Sequence, residues 1–244
     1  MDFASLFLGA SAAMLATSLG AAAILLFKSI NKRTFSALLA FSAGVMAYSI
    51  FEMIGEARLA GDSVVIAGAL TGVAVLFACE KIVPHVHLLL KKTNITQAKK
   101  KAALLAGTIS LHNIPEGLAI ASAFAGSTPL GWIVTASIAL QDAPEGFLVS
   151  APLAGYGVNT NRAFSLGILS GVIEFAAAIA GFFLLSSIIW AIPFALSFSA
   201  GAMAFVILAE LLPDAINGGF KRVAAVSFVL GTATAFGLAS LLGV

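Results

Sequence analysis

Long apolar runs alternate with short polar breaks along the whole chain. The runs lie near residues 4–27, 35–56, 63–82, 101–125, 130–154, 161–188, 191–212 and 223–243. Turn-forming residues mark the breaks at Asn31-Lys32-Arg33, Gly61-Asp62-Ser63, Gly126-Ser127-Thr128-Pro129, Asn159-Thr160-Asn161 and Asn217-Gly218-Gly219. The sixth and seventh runs meet at Trp190-Ala191-Ile192-Pro193, a boundary that is itself apolar. A helix needs about 20 apolar residues to cross the hydrocarbon core of a bilayer. The pattern therefore predicts an all-α integral membrane protein with eight transmembrane helices in a single domain over 1–244.

Composition agrees with that reading. The 244 residues are 60% hydrophobic and only 10% charged, and the mean hydropathy is +1.06. A soluble domain carries about 25% charged residues. Eight spans use up nearly the whole length, so no extramembrane domain and no nucleic-acid partner are expected. The first apolar run lacks a preceding basic region, and Lys28, Lys32 and Arg33 follow it, which predicts a retained span rather than a cleaved signal. Cys79, the single cysteine, reads as a small packed hydrophobe.

Charge placement supplies an orientation. Lys28, Lys32, Arg33, Lys81, Lys91, Lys92, Lys99, Lys100, Lys101, Arg162, Lys221 and Arg222 sit at loops 1–2, 3–4, 5–6 and 7–8 or their flanks, which is 12 of the 13 basic residues; Arg58 is the exception. Basic loops stay in the cytoplasm, so both termini are expected outside a cell (inner) membrane. The Lys99-Lys100-Lys101 run reads as a topology anchor beside anionic lipid.

The chain also repeats itself. Phe41-Ser42-Ala43-Gly44-Val45-Met46-Ala47-Tyr48 returns as Phe198-Ser199-Ala200-Gly201-Ala202-Met203-Ala204-Phe205, matching or similar at seven of eight positions. A second pair is shorter: His112-Asn113-Ile114-Pro115-Glu116-Gly117 and Gln141-Asp142-Ala143-Pro144-Glu145-Gly146. Span two thus resembles span seven, and span four resembles span five. Each pair runs in opposite directions, so the copies form an inverted repeat, a plan that places substrate sites near the midplane of many transporters.

The second pair carries the chemistry. Ionisable side chains cost about 2.5–3.5 kcal/mol at the centre of a membrane helix even on insertion scales, and they mark functional sites. His112 and Glu116 share a helix face, as do Asn113 and Glu116; Gln141, Asp142 and Glu145 repeat the spacing. Each proline is expected to break its helix and free the carbonyl four residues back, at Leu111 and Leu140. If the two helices face each other, an imidazole, two amides and three carboxylates converge. That donor set suits Zn²⁺ and related divalent ions such as Fe²⁺, Mn²⁺ or Cd²⁺. It is too rich for one ion, and Glu116 and Glu145 can bridge two.

No lysine or arginine in the same spans offsets the three acids, so protons or divalent cations must. Glu174, deep in span six, is a candidate for a second metal position or a proton acceptor, and Gly167 and Gly171 before it mark close packing. Met46 in span two offers a thioether. Glu80, His85 and His87, with Glu210 and Asp214 on the same side, form a candidate exit site. Glu52 and Glu56 lie toward the outer end of span two, where acids attract cations.

His112-Asn113-x-Pro115-Glu116-Gly117 followed by Gln141-Asp142-x-Pro144-Glu145-Gly146 resembles the ZIP (Zrt-, Irt-like protein) family of divalent metal transporters, closest to its bacterial GufA-type branch. The resemblance implies that His112, Glu116, Gln141, Asp142 and Glu145 form one metal position with Met46 above it. It implies a neighbouring position formed by Asn113, Glu116, Asp142, Glu145 and Glu174. It further implies a 3+2+3 helix bundle, frequently dimeric, and import of Zn²⁺, often also Fe²⁺, Mn²⁺ or Cd²⁺, by an elevator-like motion of spans one, four, five and six. Two departures stand out. The loop between spans three and four carries only His85 and His87 where many relatives have a longer histidine-rich tract, and Ala209-Glu210 replaces a His-Glu pair.

The expected function is metal import with the metal as cargo and no catalytic cofactor. The alternatives are a passive metal-selective channel and an intramembrane metallohydrolase, because His and Glu on a buried helix also activate water. No HExxH motif is present to favour the hydrolase.

Overall fold

The fold is described from a computed structural model covering residues 2–27, 29–91 and 97–242, with side chains 82–111 outside the description. Among the described residues there are eight long helices and no strand. They are α1 (Phe3–Leu26), α2 (Lys32–Ala57), α3 (Asp62–Lys91), α4 (Gln97–Gly126), α5 (Thr128–Gly155), α6 (Thr160–Ser187), α7 (Ile192–Val206) and α8 (Lys221–Leu241). The rod begun by α7 runs on through a π-helical turn (Ile207–Leu211) into a last short piece (Leu212–Asn217). Asp2, Asn31, Ser127 and Asn159 cap α1, α2, α5 and α6 by accepting first-turn amides that the helix leaves unbonded.

Six of these rods are long and apolar enough to cross a membrane: α1, α2, Asp62–Lys81 of α3, α6, Ile189–Asn217 and α8. The remaining two, α4 and α5, carry the paired polar motifs. Where their side chains are described, most are buried in the rest of the protein. α5 lies between α1 and α2, and α4 packs on α6, α5 and α7. The outer helices turn large apolar side chains outward instead, as Leu8, Leu19 and Leu26 do on α1 and Val226, Leu230 and Phe236 on α8. Such a surface belongs in lipid, and the chain is a multi-pass membrane protein.

One expectation fails here. Pro115 and Pro144 do not break their helices; α4 and α5 stay helical through both. A proline deletes one backbone hydrogen bond, and close neighbours on every side hold the rest of the turn in place. α3 also continues past the predicted end of span three as far as Lys91.

Glycine lets the helices approach closely. A Cβ on Gly146 of α5 would collide with the Thr17 carbonyl of α1, and one on Gly117 of α4 with the Glu174 carbonyl of α6. The same holds for Gly44 of α2 against Phe228 of α8, and Gly201 of α7 against Ala69 of α3. Gly167 and Gly171, the pair noted in span six, face Ala21 and Thr17 of α1. Without a hydrophobic drive between helices in lipid, this backbone proximity supplies the packing. Overpacking costs about 1–3 kcal/mol, so Gly146→Ala is expected to lower the melting temperature in detergent clearly. Gly55→Ala, where a Cβ meets nothing within 4 Å, should leave it level or raise it. Equal melting of the two variants would refute the close-packing account.

Candidate metal centre

Position 112–117 of α4 and position 141–146 of α5 face each other with α6 behind them. Glu116, Asp142 and Glu145 are buried, and one oxygen from each lies within 4.8 Å of the others. Gln141, fully buried, donates its amide to Glu116 Oε1 at 2.5 Å. Glu174 of α6 is 1% exposed and lies beside Asp142. Asn113 is held from α6, where Ser170 Oγ donates to its Oδ1 at 3.2 Å.

Hydrogen bonding leaves this cluster unfinished. Glu116 Oε2, Gln141 Oε1, both Asp142 oxygens, Glu145 Oε2 and both Glu174 oxygens are buried without a hydrogen-bond partner. Among the described residues no basic side chain forms an ion pair with any of the four acids. Buried polar atoms are nearly always satisfied, and buried charge is paired or coordinates a metal. Seven converging oxygens with nothing to receive are a donor set waiting for cations, and these residues can hold one or more.

His112, expected among the ligands of this cluster, lines a cavity with Glu145 and also has a partner outside it. Its Nε2 lies 2.7 Å from Glu210 Oε1, on the π-helical turn after α7. A π turn adds a residue per turn and is often found where a side chain must be re-aimed at a functional site. Glu80 of α3 lies beside Glu210, so two members of the candidate exit site come together with His112 as the link. His85 and His87 fall among the side chains outside the described residues. Asp214 is exposed at the mouth of the cavity described next.

That cavity, about 260 Å³, is lined by His112, Glu145, Glu210, Asp214, Phe35, Leu39, Leu148, Val149, Pro152, Tyr156 and Leu211. It runs from the carboxylate cluster toward the end of the molecule that bears Lys32, Arg33, Arg162, Lys221 and Arg222. Toward the opposite end, Ile120, Phe124, Leu130, Val134, Ile138 and Leu196 are buried in one apolar cluster. Phe124 occupies the space left by Gly9 and Gly131 and stacks edge-on to Trp132 at 5.5 Å. Among the described residues, this cavity opens a way to the centre from the basic end.

Met46 is fully buried on α2, one turn from Ser42, whose hydroxyl donates to the Gln141 carbonyl at 3.3 Å. Glu52 is half-buried beside Tyr48, and Glu52 and Glu56 lie away from the centre along α2. Ser42 and Ser170 were not singled out from sequence. Each stands four residues before a candidate ligand, Met46 and Glu174, and that shared helix face was the available signal.

A multi-pass helical membrane protein with a buried carboxylate cluster and a cavity leading to it belongs to the transporters that carry metal ions. Comparison with known proteins is specific: the family model described as ZIP Zinc transporter matches residues 90–239. The zinc transporter ZIPB of Bordetella bronchiseptica is 34% identical over 249 residues, covering 97% of this chain and 81% of that protein. The zinc transporter ZupT of Chlorobaculum parvum is 36% identical, covering 86% and 87%, and the zinc transporter GufA of Myxococcus xanthus 34%, covering 73% and 71%. The chain belongs to the ZIP family. It is a transporter rather than an enzyme, and the hydrolase alternative falls.

The isosteric variant Glu116→Gln keeps the Gln141 contact and removes one uncompensated acid. The metal-free variant is expected to melt above the wild type. Zinc at a hundred times its dissociation constant stabilises a protein by about 2.7 kcal/mol, a shift that Glu116→Gln should largely lose. A full zinc-induced shift in the variant, read by differential scanning fluorimetry, would separate Glu116 from metal binding.

Proposed function

We propose that this chain imports divalent transition metal, zinc foremost and also Fe²⁺, Mn²⁺ or Cd²⁺, into the cytoplasm through a two-ion centre. One position is formed by His112, Glu116, Gln141, Asp142 and Glu145 with Met46 above, the other by Asn113, Glu116, Asp142, Glu145 and Glu174. The observation that carries the reading is the set of seven buried, unpartnered oxygens on Glu116, Gln141, Asp142, Glu145 and Glu174. Their number exceeds what one ion needs, and carboxylate with imidazole and amide suits this group of metals. The names of the similar proteins support zinc as cargo.

Orientation follows from the basic loops, which face the cytoplasm, with both termini outside the inner membrane. The cavity at His112 and Glu210 is then the inward exit. A metal leaving the centre meets His112, exchanges to Glu210 and Glu80, and passes Asp214 into the cytoplasm. His85 and His87 complete the path in this reading. Low pH opposes loading, because ligands bind metal only when deprotonated.

The helix packing supports an inverted repeat. Exchanging α1 with α6, α2 with α7, α3 with α8 and α4 with α5 maps each principal contact onto another: α1 on α5 becomes α6 on α4, and α3 on α7 becomes α8 on α2. The close approach of Gly146 to Thr17 becomes that of Gly117 to Glu174. A 3+2+3 bundle with α4 and α5 at its centre accommodates these pairs. α1, α4, α5 and α6 pack mainly on one another, as do α2 with α8 and α3 with α7. A division into these two groups, meeting mainly where α5 packs on α2 and α4 on α7, favours an elevator-like carrier over a channel. Dimerisation through lipid-facing helices completes the proposal.

Zinc and cadmium uptake into proteoliposomes tests it. Saturable flux is expected for the wild type, weaker at pH 5.5 than at pH 7.5 on the ligand-protonation argument, and absent for Glu145→Ala and His112→Ala. Flux that rises linearly with metal concentration would instead define a pore, and unchanged uptake by both variants would rule out this site.

A further inference from the structure

Ser42 of α2 and Ser199 of α7 hold the same place in Phe41-Ser42-Ala43-Gly44 and its copy Phe198-Ser199-Ala200-Gly201. Both are fully buried. Ser42 lies in line with Leu39 and Met46, and Ser199 with Leu196 and Met203, on the side opposite the glycines that meet α8 and α3. Their hydroxyls differ. Ser42 donates to the Gln141 carbonyl of α5 at 3.3 Å. The paired motifs make His112 of α4 the counterpart of Gln141, yet Ser199 Oγ has no hydrogen-bond partner among the described residues. A helical hydroxyl can satisfy itself on the carbonyl one turn back, as Thr17, Ser18 and Ser150 do. A buried hydroxyl that forgoes this bond calls for a cause.

The surroundings of the two serines differ in the same sense. Leu39, just before Ser42, lines the cavity at the basic end together with Val149 of α5. Their repeat counterparts, Leu196 of α7 and Ile120 of α4, are 1% and 0% exposed in the apolar cluster toward the opposite end. Equivalent surfaces of the two halves are thus open at one end and closed at the other.

We propose that Ser42 and Ser199 are positioning residues for the two end states of transport. Ser42 holds the Gln141 carbonyl in the state seen here, and Ser199 takes the His112 carbonyl in the opposite one. The inference rests on the inverted-repeat carrier reading above. Because the halves are alike and inverted, exchanging their conformations moves the opening to the other side of the membrane. The exchange gives Ser199 the bond that Ser42 has now and leaves Ser42 without one. Each state then holds one bonded and one unpartnered serine, so the hydroxyls favour neither state and trap neither. Both carbonyls belong to the metal-bearing motifs, so the serines fix where the centre stands against α2 and α7 without touching metal.

Thiol accessibility in the full-length protein, with Cys79 replaced by serine, tests the exchange. Leu39→Cys reports the opening at the basic end to an impermeant methanethiosulfonate added on that face. Leu196→Cys reports the opposite opening to the same reagent added on the other face. One hydrogen bond is worth about fivefold in a two-state equilibrium. Ser42→Ala should therefore lower the ratio of the Leu39→Cys to the Leu196→Cys modification rate about fivefold, and Ser199→Ala should raise it by a similar factor. Serines that only support the fold would not move the ratio in opposite directions. A ratio that shifts the same way in both variants, or stays at the parent value, overturns the exchange and leaves the carrier reading standing. If Leu196→Cys reacts from the outer face in no variant, the carrier reading falls and takes the exchange with it.

Discussion

Four carboxylates share one buried space in this protein without a basic side chain among the described residues to pair with them, and the rest of the structure accommodates that fact. Each acid would be costly alone in a membrane interior. Together they hold six unpartnered oxygens, and Glu116, Asp142 and Glu145 each bring an oxygen within 4.8 Å of the others. A cluster of that kind is stable only when something positive, proton or metal, enters with it. The helices that surround α4 and α5 offer no such charge among the described residues, so protons or metal ions must supply it.

Holding the acids there requires close helices, and close helices require glycine. Gly117 and Gly146 each follow the glutamate of their motif directly, and each lets a neighbouring helix backbone come to its side. The motif glycine is therefore part of the metal centre without touching metal: it brings Glu174 of α6 next to Glu116, and Thr17 of α1 into the equivalent place beside Glu145. The same two-residue unit solves the chemistry and the packing. Among the described residues, Ser42 of α2 donates to the Gln141 carbonyl of α5, and His112 of α4 meets Glu210 after α7.

Much of this was legible in the sequence. Apolar run lengths and turn residues located most helix ends to within a few residues, the end of α3 excepted, because a span must satisfy its own backbone and has little freedom in length. The motif spacing located the cluster because residues three and four apart must share a face. Three features were hidden. Proline predicted breaks at Pro115 and Pro144 that neighbouring helices suppress, a tertiary effect with no local signal. The His112 to Glu210 contact depends on a π turn after α7, which has no reliable sequence mark. The continuation of α3 to Lys91 lies past the apolar run that marks span three, where Lys81 and His85 read as the start of a loop.

The most direct test of the central claim is anomalous diffraction at the zinc edge from crystals grown with zinc. Two peaks between α4, α5 and α6, sharing Glu116 and Glu145 as bridging ligands with Glu174 on one of them, are the predicted result. A single peak confined to His112 and Glu210, with the carboxylate cluster empty at saturating zinc, would contradict it.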